Sequence, residues 1–129
     1  MSMKIKNFNK TIILTFIVII LSTVPGSSFN SVNWYDFPNK DKLGHFLMYL
    51  VLAYYFSIEL LNISEIKVKN IKFIALPIII TLGGILEIVQ GTLIPFRSCD
   101  FFDFLSNTAG ASFGFVIFAF RNLKYRQTS

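Results

Sequence analysis

The sequence predicts an all-α polytopic membrane protein: a single domain, residues 1–129, folded as a bundle of four membrane-spanning helices with both termini on the cytoplasmic side. Three observations predict it. The chain of 129 residues is 53% apolar and 15% charged, with a mean hydropathy of +0.60, whereas a soluble domain carries about 25% charged residues. Its apolar residues gather in long runs separated by short polar segments. The basic residues flank those runs with a strong bias to alternate connections. With 15 Phe among its residues the chain is not disordered, and its length leaves no room for a large extramembrane catalytic domain.

The first run covers residues 8–24 and follows Lys4, Lys6 and Lys10. A helix of this length reaches about 26 Å, a little short of the ~30 Å hydrocarbon core, and flanking aromatics and snorkelling lysines make up the difference. A basic start, an apolar run and then Pro25-Gly26-Ser27-Ser28 also fit a secretory signal peptide. No small-x-small cleavage site precedes that turn, however, and the other spans need an even-numbered partner. The run is therefore read as a retained helix. The second, third and fourth spans cover residues 45–61, 71–94 and 104–120.

Charge then orients the bundle. With the N-terminus inside, Lys4, Lys6, Lys10, Lys67, Lys69, Lys72, Arg121, Lys124 and Arg126 fall inside, and only Lys40, Lys42 and Arg97 fall outside, which accounts for all 12 basic residues. This is the positive-inside pattern. It also excludes nucleic acid as a partner, because the net charge of +5 is dispersed over helix ends rather than gathered in one patch. The outer loops carry Phe29, Trp34, Tyr35, Phe37, Phe96, Phe101 and Phe102, as an interfacial belt would, and part of 30–39 is expected to lie along the membrane surface. Cys99 is the sole cysteine, so neither a disulfide framework nor a multi-cysteine metal site is available.

On this topology the polar residues collect at one depth. Asp41 and His45 lie four apart as the second helix begins, and Tyr49 continues their face. Glu87 and Gln90 lie three apart near the outer end of the third helix, with Gly83, Gly84 and Gly91 nearby. Asp103 and Asn107 open the fourth helix, and Gly110 and Gly114 extend that stripe as a GxxxG packing pair. Arg97 stands in the connection between the last two helices.

Glu87 is the most telling residue. An acid in an apolar helix must face a bundle interior or wet cavity and find a partner, here Arg97, His45 or Gln90. The bland alternative is a structural ion pair tying helix ends together. Beside Asp41, His45 resembles a carboxylate-oriented imidazole able to bind a ligand or move a proton. Glu87 and His45 are accordingly the catalytic candidates if the protein is an enzyme, although no nucleophile is identifiable. His45, Glu87, Asp103 and Asp41 include metal-ligating types, but one histidine with scattered carboxylates is not a spacing that predicts a metal centre, and no cofactor is expected. Glu59 and Glu65 read as solvated residues at the inner end.

These residues also form an ordered signature. The chain reads Asp41-Lys42-Leu43-Gly44-His45-Phe46-Leu47-Met48-Tyr49, then Glu87-Ile88-Val89-Gln90, then Pro95-Phe96-Arg97, then Asp103-Phe104-Leu105-Ser106-Asn107 running on to Gly110 and Gly114. In this order, from 41 to 114, it resembles the VanZ-like membrane proteins, a family named for an accessory teicoplanin-resistance protein. The resemblance implies about four helices in a bacterial cytoplasmic membrane. It extends to glycopeptide susceptibility without naming a biochemical activity.

The resulting expectation is a binding protein. Its outward polar site (Asp41, His45, Tyr49, Glu87, Gln90, Arg97, Asp103, Asn107) engages a membrane lipid, a lipid-linked envelope precursor or a lipidated glycopeptide, with Arg97 on an anionic group. An intramembrane enzyme using Glu87 or His45 on such a lipid is the second expectation. A structural partner of another membrane protein is the third. Oligomeric state is left open.

Overall fold

The computed structural model describes residues 8–24, 39–63 and 65–127, with side chains through Leu123. The expectations placed on Lys4 and Lys6, on the loop bearing Phe29, Trp34, Tyr35, Asp36 and Phe37, and on the Lys124 and Arg126 side chains lie outside what is described. Four helices follow one another: α1 (Asn9–Thr23), α2 (Lys40–Ile63), α3 (Val68–Leu93) and α4 (Phe101–Gln127), and no strand occurs among the described residues.

Their boundaries differ from the apolar runs in a consistent way. α2 begins at Lys40 and not at His45, which brings Asp41 and Lys42 into its first turn. α4 begins at Phe101 and continues to Gln127, well past the last apolar residue of the run. Backbone hydrogen bonding carries a helix on until a cap or turn stops it, whereas hydropathy changes where the solvent does. α3 runs through Pro77 without ending; a proline removes one backbone donor, and transmembrane helices tolerate this when their neighbours hold them.

Three helices, α2, α3 and the stretch Phe101–Leu123 of α4, are long and apolar enough to cross a membrane. α1 has 15 residues and extends only about 22 Å. The expected 8–24 span is thus the shortest and falls below a full hydrocarbon crossing.

The helices run alternately up and down. The start of α1 meets the end of α2 (Lys10 and Thr11 with Glu59), and the start of α2 meets the start of α4 (Lys42 with Asp100 and Asp103). α2 and α4 form the tightest seam. A Cβ on Gly110 would collide with the Phe46 carbonyl oxygen, and one on Gly114 with that of Leu50. Only glycine lets the two backbones approach so closely.

Polarity is distributed inside out. Ser22, His45, Ser57, Glu59, Glu87, Gln90, Asp103 and Asn107 are buried, while Phe16, Phe73, Ile88, Phe113 and Phe120 each lie more than half exposed on the outer faces. A water-soluble monomer does not present apolar surface on this scale. Bundles in lipid do, since association there depends on packing and interhelical hydrogen bonds.

One expectation is overturned at the inner end. Glu59 is not solvated but buried, and its carboxylate accepts hydrogen bonds from the Lys10 N–H (3.0 Å), the Thr11 N–H (3.1 Å) and the Thr11 hydroxyl (2.5 Å). The first N–H groups of a helix have no partner of their own. No side chain of α1's own N-cap supplies one, so an acid from α2 does, favoured also by the positive end of the α1 dipole. Glu65, by contrast, is exposed.

Candidate functional site

The opposite end of the bundle gathers the polar pairs. Helical spacing puts Asp41 and His45 on one face of α2, Glu87 and Gln90 on one face of α3, and Asp103 and Asn107 on one face of α4. His45 is the hub. Its Nδ1 lies 3.0 Å from Asn107 Oδ1 and 3.8 Å from Glu87 Oε1, while its Nε2 lies 3.8 Å from Asp103 Oδ2 and 3.9 Å from Asp41 Oδ1. The imidazole therefore stands between two carboxylate-bearing sides.

Asn107 sets the chemistry of the ring. Its Nδ2 donates to Glu87 Oε1 (3.4 Å), which turns its Oδ1 toward His45 and requires the ring proton on Nδ1. In the neutral ring, Nε2 is then left to face Asp41 and Asp103 with its lone pair. Gly83 keeps this arrangement compact, since a Cβ there would sit 3.2 Å from Tyr49 Cε1 and 3.4 Å from Asn107 Cβ. Tyr49 is buried beside it, and its hydroxyl has no hydrogen-bond partner among the described residues.

Lys42 and Asp100, which the sequence reading left outside the site, form its mouth. Lys42 Nζ lies 3.1 Å from Asp100 Oδ2 and 3.4 Å from Asp103 Oδ1. Asp100 also caps α4, its Oδ1 accepting from the Phe102 N–H at 2.8 Å. That N–H first, and then the Lys42 ammonium, hold the Asp100 carboxyl below its ordinary range. Lys42 had a signal in the Asp41-Lys42-x-x-His45 block of the signature, whereas Asp100 had only its position one residue ahead of α4. The His45, Glu87 and Asp103 side chains are each less than a tenth exposed, whereas those of Asp41, Lys42 and Asp100 are 62%, 32% and 34% exposed. The cluster thus opens outward at the bundle end.

Two expected members do other work. Arg97 donates Nε to Val24 O (3.3 Å) and Nη2 to Leu21 O (3.4 Å), and Gln90 Nε2 donates to Ser22 O (2.9 Å). Both satisfy carbonyls ending α1, where the helix dipole favours a cation. Of the partners expected for Glu87, His45 stands beside its carboxylate with Asn107 bridging them, whereas Gln90 and Arg97 reach the end of α1. Of the other glycines, Gly84 faces Phe104 and Gly91 abuts the Cys99 backbone.

The balance of charge is acidic. Among the described residues, Asp41, Glu87, Asp100 and Asp103 gather around the Lys42 ammonium and the His45 imidazole. Glu87 Oε2 and Asp103 Oδ1 are buried without a hydrogen bond among the described residues. One oxygen each from Asp41 and Asp103, with a His45 ring nitrogen, lie within 4.8 Å of one another. Such a site suits a proton, a cation or a polar ligand rich in donors. Comparison with known proteins adds no relative: no family model, no curated protein and no solved structure matches the chain.

Proposed function

We propose that the chain is a VanZ-like protein of the bacterial cytoplasmic membrane, crossing it four times with both termini inside, whose polar cluster engages the headgroup of an envelope lipid or lipid-linked precursor. The observation that carries this reading is the meeting of Asp41, His45, Glu87, Asp103 and Asn107, from three helices, at one outward-opening bundle end. Lys10, Lys67, Lys69, Lys72 and Arg121 belong to the opposite end, and the positive-inside rule places that end in the cytoplasm. The cluster then lies in the outer leaflet, at headgroup depth. Sequestering such a headgroup would alter how a glycopeptide meets the cell surface.

The test is lipid co-purification. The wild-type chain and the His45→Ala and Glu87→Gln variants are extracted from bacterial membranes in mild detergent, and bound lipids are identified by mass spectrometry. A lipid enriched with wild type and lost from both variants, at unchanged helical circular dichroism, supports the reading. Identical lipid profiles overturn it. Teicoplanin susceptibility of cells expressing each form reads the physiological consequence.

The Glu87–Asn107–His45 chain of contacts favours a second reading, in which the same site is catalytic. An imidazole with a fixed tautomer and a carboxylate behind it is built for proton transfer. A variant that retains the lipid but no longer converts it distinguishes this enzyme from a binding protein.

A further inference from the structure

We propose that Asp41, His45 and Asp103 form a binding site for a divalent first-row metal ion such as Zn²⁺ or Mn²⁺. The donors are two carboxylates and one imidazole nitrogen, a mixed oxygen and nitrogen set that suits these ions. Around Nε2 of His45, the carboxylate oxygens stand at 3.8 Å (Asp103) and 3.9 Å (Asp41). Ligand atoms about 2.1 Å from a tetrahedral zinc are about 3.4 Å apart, so closing on an ion requires movements of a few tenths of an ångström along each His45 edge and, with all three ligand atoms within 4.8 Å of one another, at most about 1.4 Å between the two carboxylates. Asp41 sits at the mouth with its side chain 62% exposed and is free to make them.

Two further observations point to a bound cation. The first is the tautomer. A metal-binding histidine is normally held by a hydrogen bond from its other ring nitrogen, which orients the ring and frees the ligating lone pair. Asn107 Oδ1 does this at 3.0 Å from Nδ1, and Glu87 holds Asn107 in the required orientation. The second is unmet charge. Asp103 is 5% exposed, its Oδ1 has no hydrogen bond among the described residues, and its nearest cation there is Lys42 at 3.4 Å, which Asp100 shares. Buried carboxylates are costly without a counter-charge, and the two buried ones, Glu87 and Asp103, have beside them only the His45 imidazole and, at Asp103, a Lys42 ammonium divided with Asp100.

Three protein ligands leave at least one coordination position open, as in metal sites that act on an exogenous ligand. The open side faces the mouth. The metal site stands on its own geometry. Its use follows only if the headgroup reading holds: a divalent ion would let this acidic cluster accept a phosphate oxygen that its carboxylates otherwise repel.

The experiment uses the full chain in detergent, stripped with chelator and free of added lipid, titrated with Mn²⁺ while paramagnetic resonance reads the free ion and Zn²⁺ serves as competitor. The expected result is one ion per chain, displaced by Zn²⁺, with affinity lowered at least about tenfold by Asp41→Asn and by Asp103→Asn. Asn107→Leu is expected to lower it about 10- to 100-fold, as loss of an outer-shell partner does. Gly44→Ala, with nothing near its Cβ, leaves it unchanged. Asp41→Asn alters an exposed side chain, so its effect does not depend on the fold tolerating a core substitution. Absence of stoichiometric binding, or binding that survives Asp41→Asn and Asp103→Asn together, overturns the proposal. Metal binding without lipid co-purification leaves this site standing and removes the headgroup reading. Histidine-dependent lipid binding without metal does the reverse.

Discussion

Replacing Glu59 by alanine isolates how α1 is held. The substitution removes three hydrogen bonds accepted by one carboxylate, at 3.0, 3.1 and 2.5 Å. Hydrogen bonds to a charged acceptor contribute about 1.5–3 kcal/mol each in stability measurements, but these three share one group and are not additive. The Thr11 hydroxyl can turn elsewhere, whereas the two backbone N–H groups lose their acceptor. Against this, unfolding no longer rehydrates a buried carboxylate. A net loss of about 2–4 kcal/mol is the reasonable figure, and Glu59→Gln, which keeps a carbonyl acceptor, should lose about half as much. Hydrogen–deuterium exchange in micelles reads it locally. At ~1.4 kcal/mol per factor of ten, protection of the first amides of α1 should fall about 30- to 700-fold, while α2 and α4 hold theirs. Protection unchanged in α1, or lowered equally in every helix, would refute the idea that this carboxylate specifically tethers α1.

Three other outcomes follow from the same geometry. Gly114→Ala should cost about 1–3 kcal/mol, because its Cβ meets Ala53 Cβ at 3.2 Å and the Leu50 carbonyl, whose backbone cannot rotate aside; a lowered thermal midpoint beside an unchanged Gly44→Ala control checks it. His45, the single histidine of the chain, should carry its proton on Nδ1 whenever the ring is neutral, and ¹⁵N NMR showing the Nε2–H form would contradict the Asn107 relay. Asp100 titrates below its ordinary value because the Phe102 N–H and Lys42 stabilise its charged form. Its contribution is therefore complete above the ordinary carboxylate range and is lost as pH falls through the lowered value. Carboxyl NMR titration should show Lys42→Met moving that value back upward.

Much of this arrangement was legible because helices make spacing into geometry. Residues three or four apart must share a face, so the pairs Asp41/His45, Glu87/Gln90 and Asp103/Asn107 were visible as pairs, and hydropathy supplied their common depth. What spacing does not convey is rotation about the helix axis relative to a neighbour. Gln90 shares a face with Glu87 yet reaches Ser22 of α1, and Arg97 turns to Leu21 and Val24. Glu59 was misread because an acid near a helix end looks the same in sequence whether it faces water or the bare N–H groups of another helix. Asp41, His45 and Asp103 were expected in one polar site, but spacing could not single them out as a metal-ligating trio. Its third member comes from α4, and only the close α2–α4 seam at Gly110 and Gly114 brings it within reach of the other two.

The tethers on α1 also dictate an order of assembly. The ribosome makes α1 first, but every polar group that holds it comes later: Glu59 in α2, Gln90 in α3 and Arg97 beyond that. The first N–H groups of α1 wait for Glu59, the Ser22 carbonyl waits for Gln90, and the Leu21 and Val24 carbonyls wait for Arg97. Completion waits longer still, since Asp103, Asn107 and the glycine seam all belong to the last helix. Insertion and packing are therefore separated in time. A nascent chain halted before α4 would carry membrane-competent helices and no site at all, so the cluster comes into existence only with the final helix.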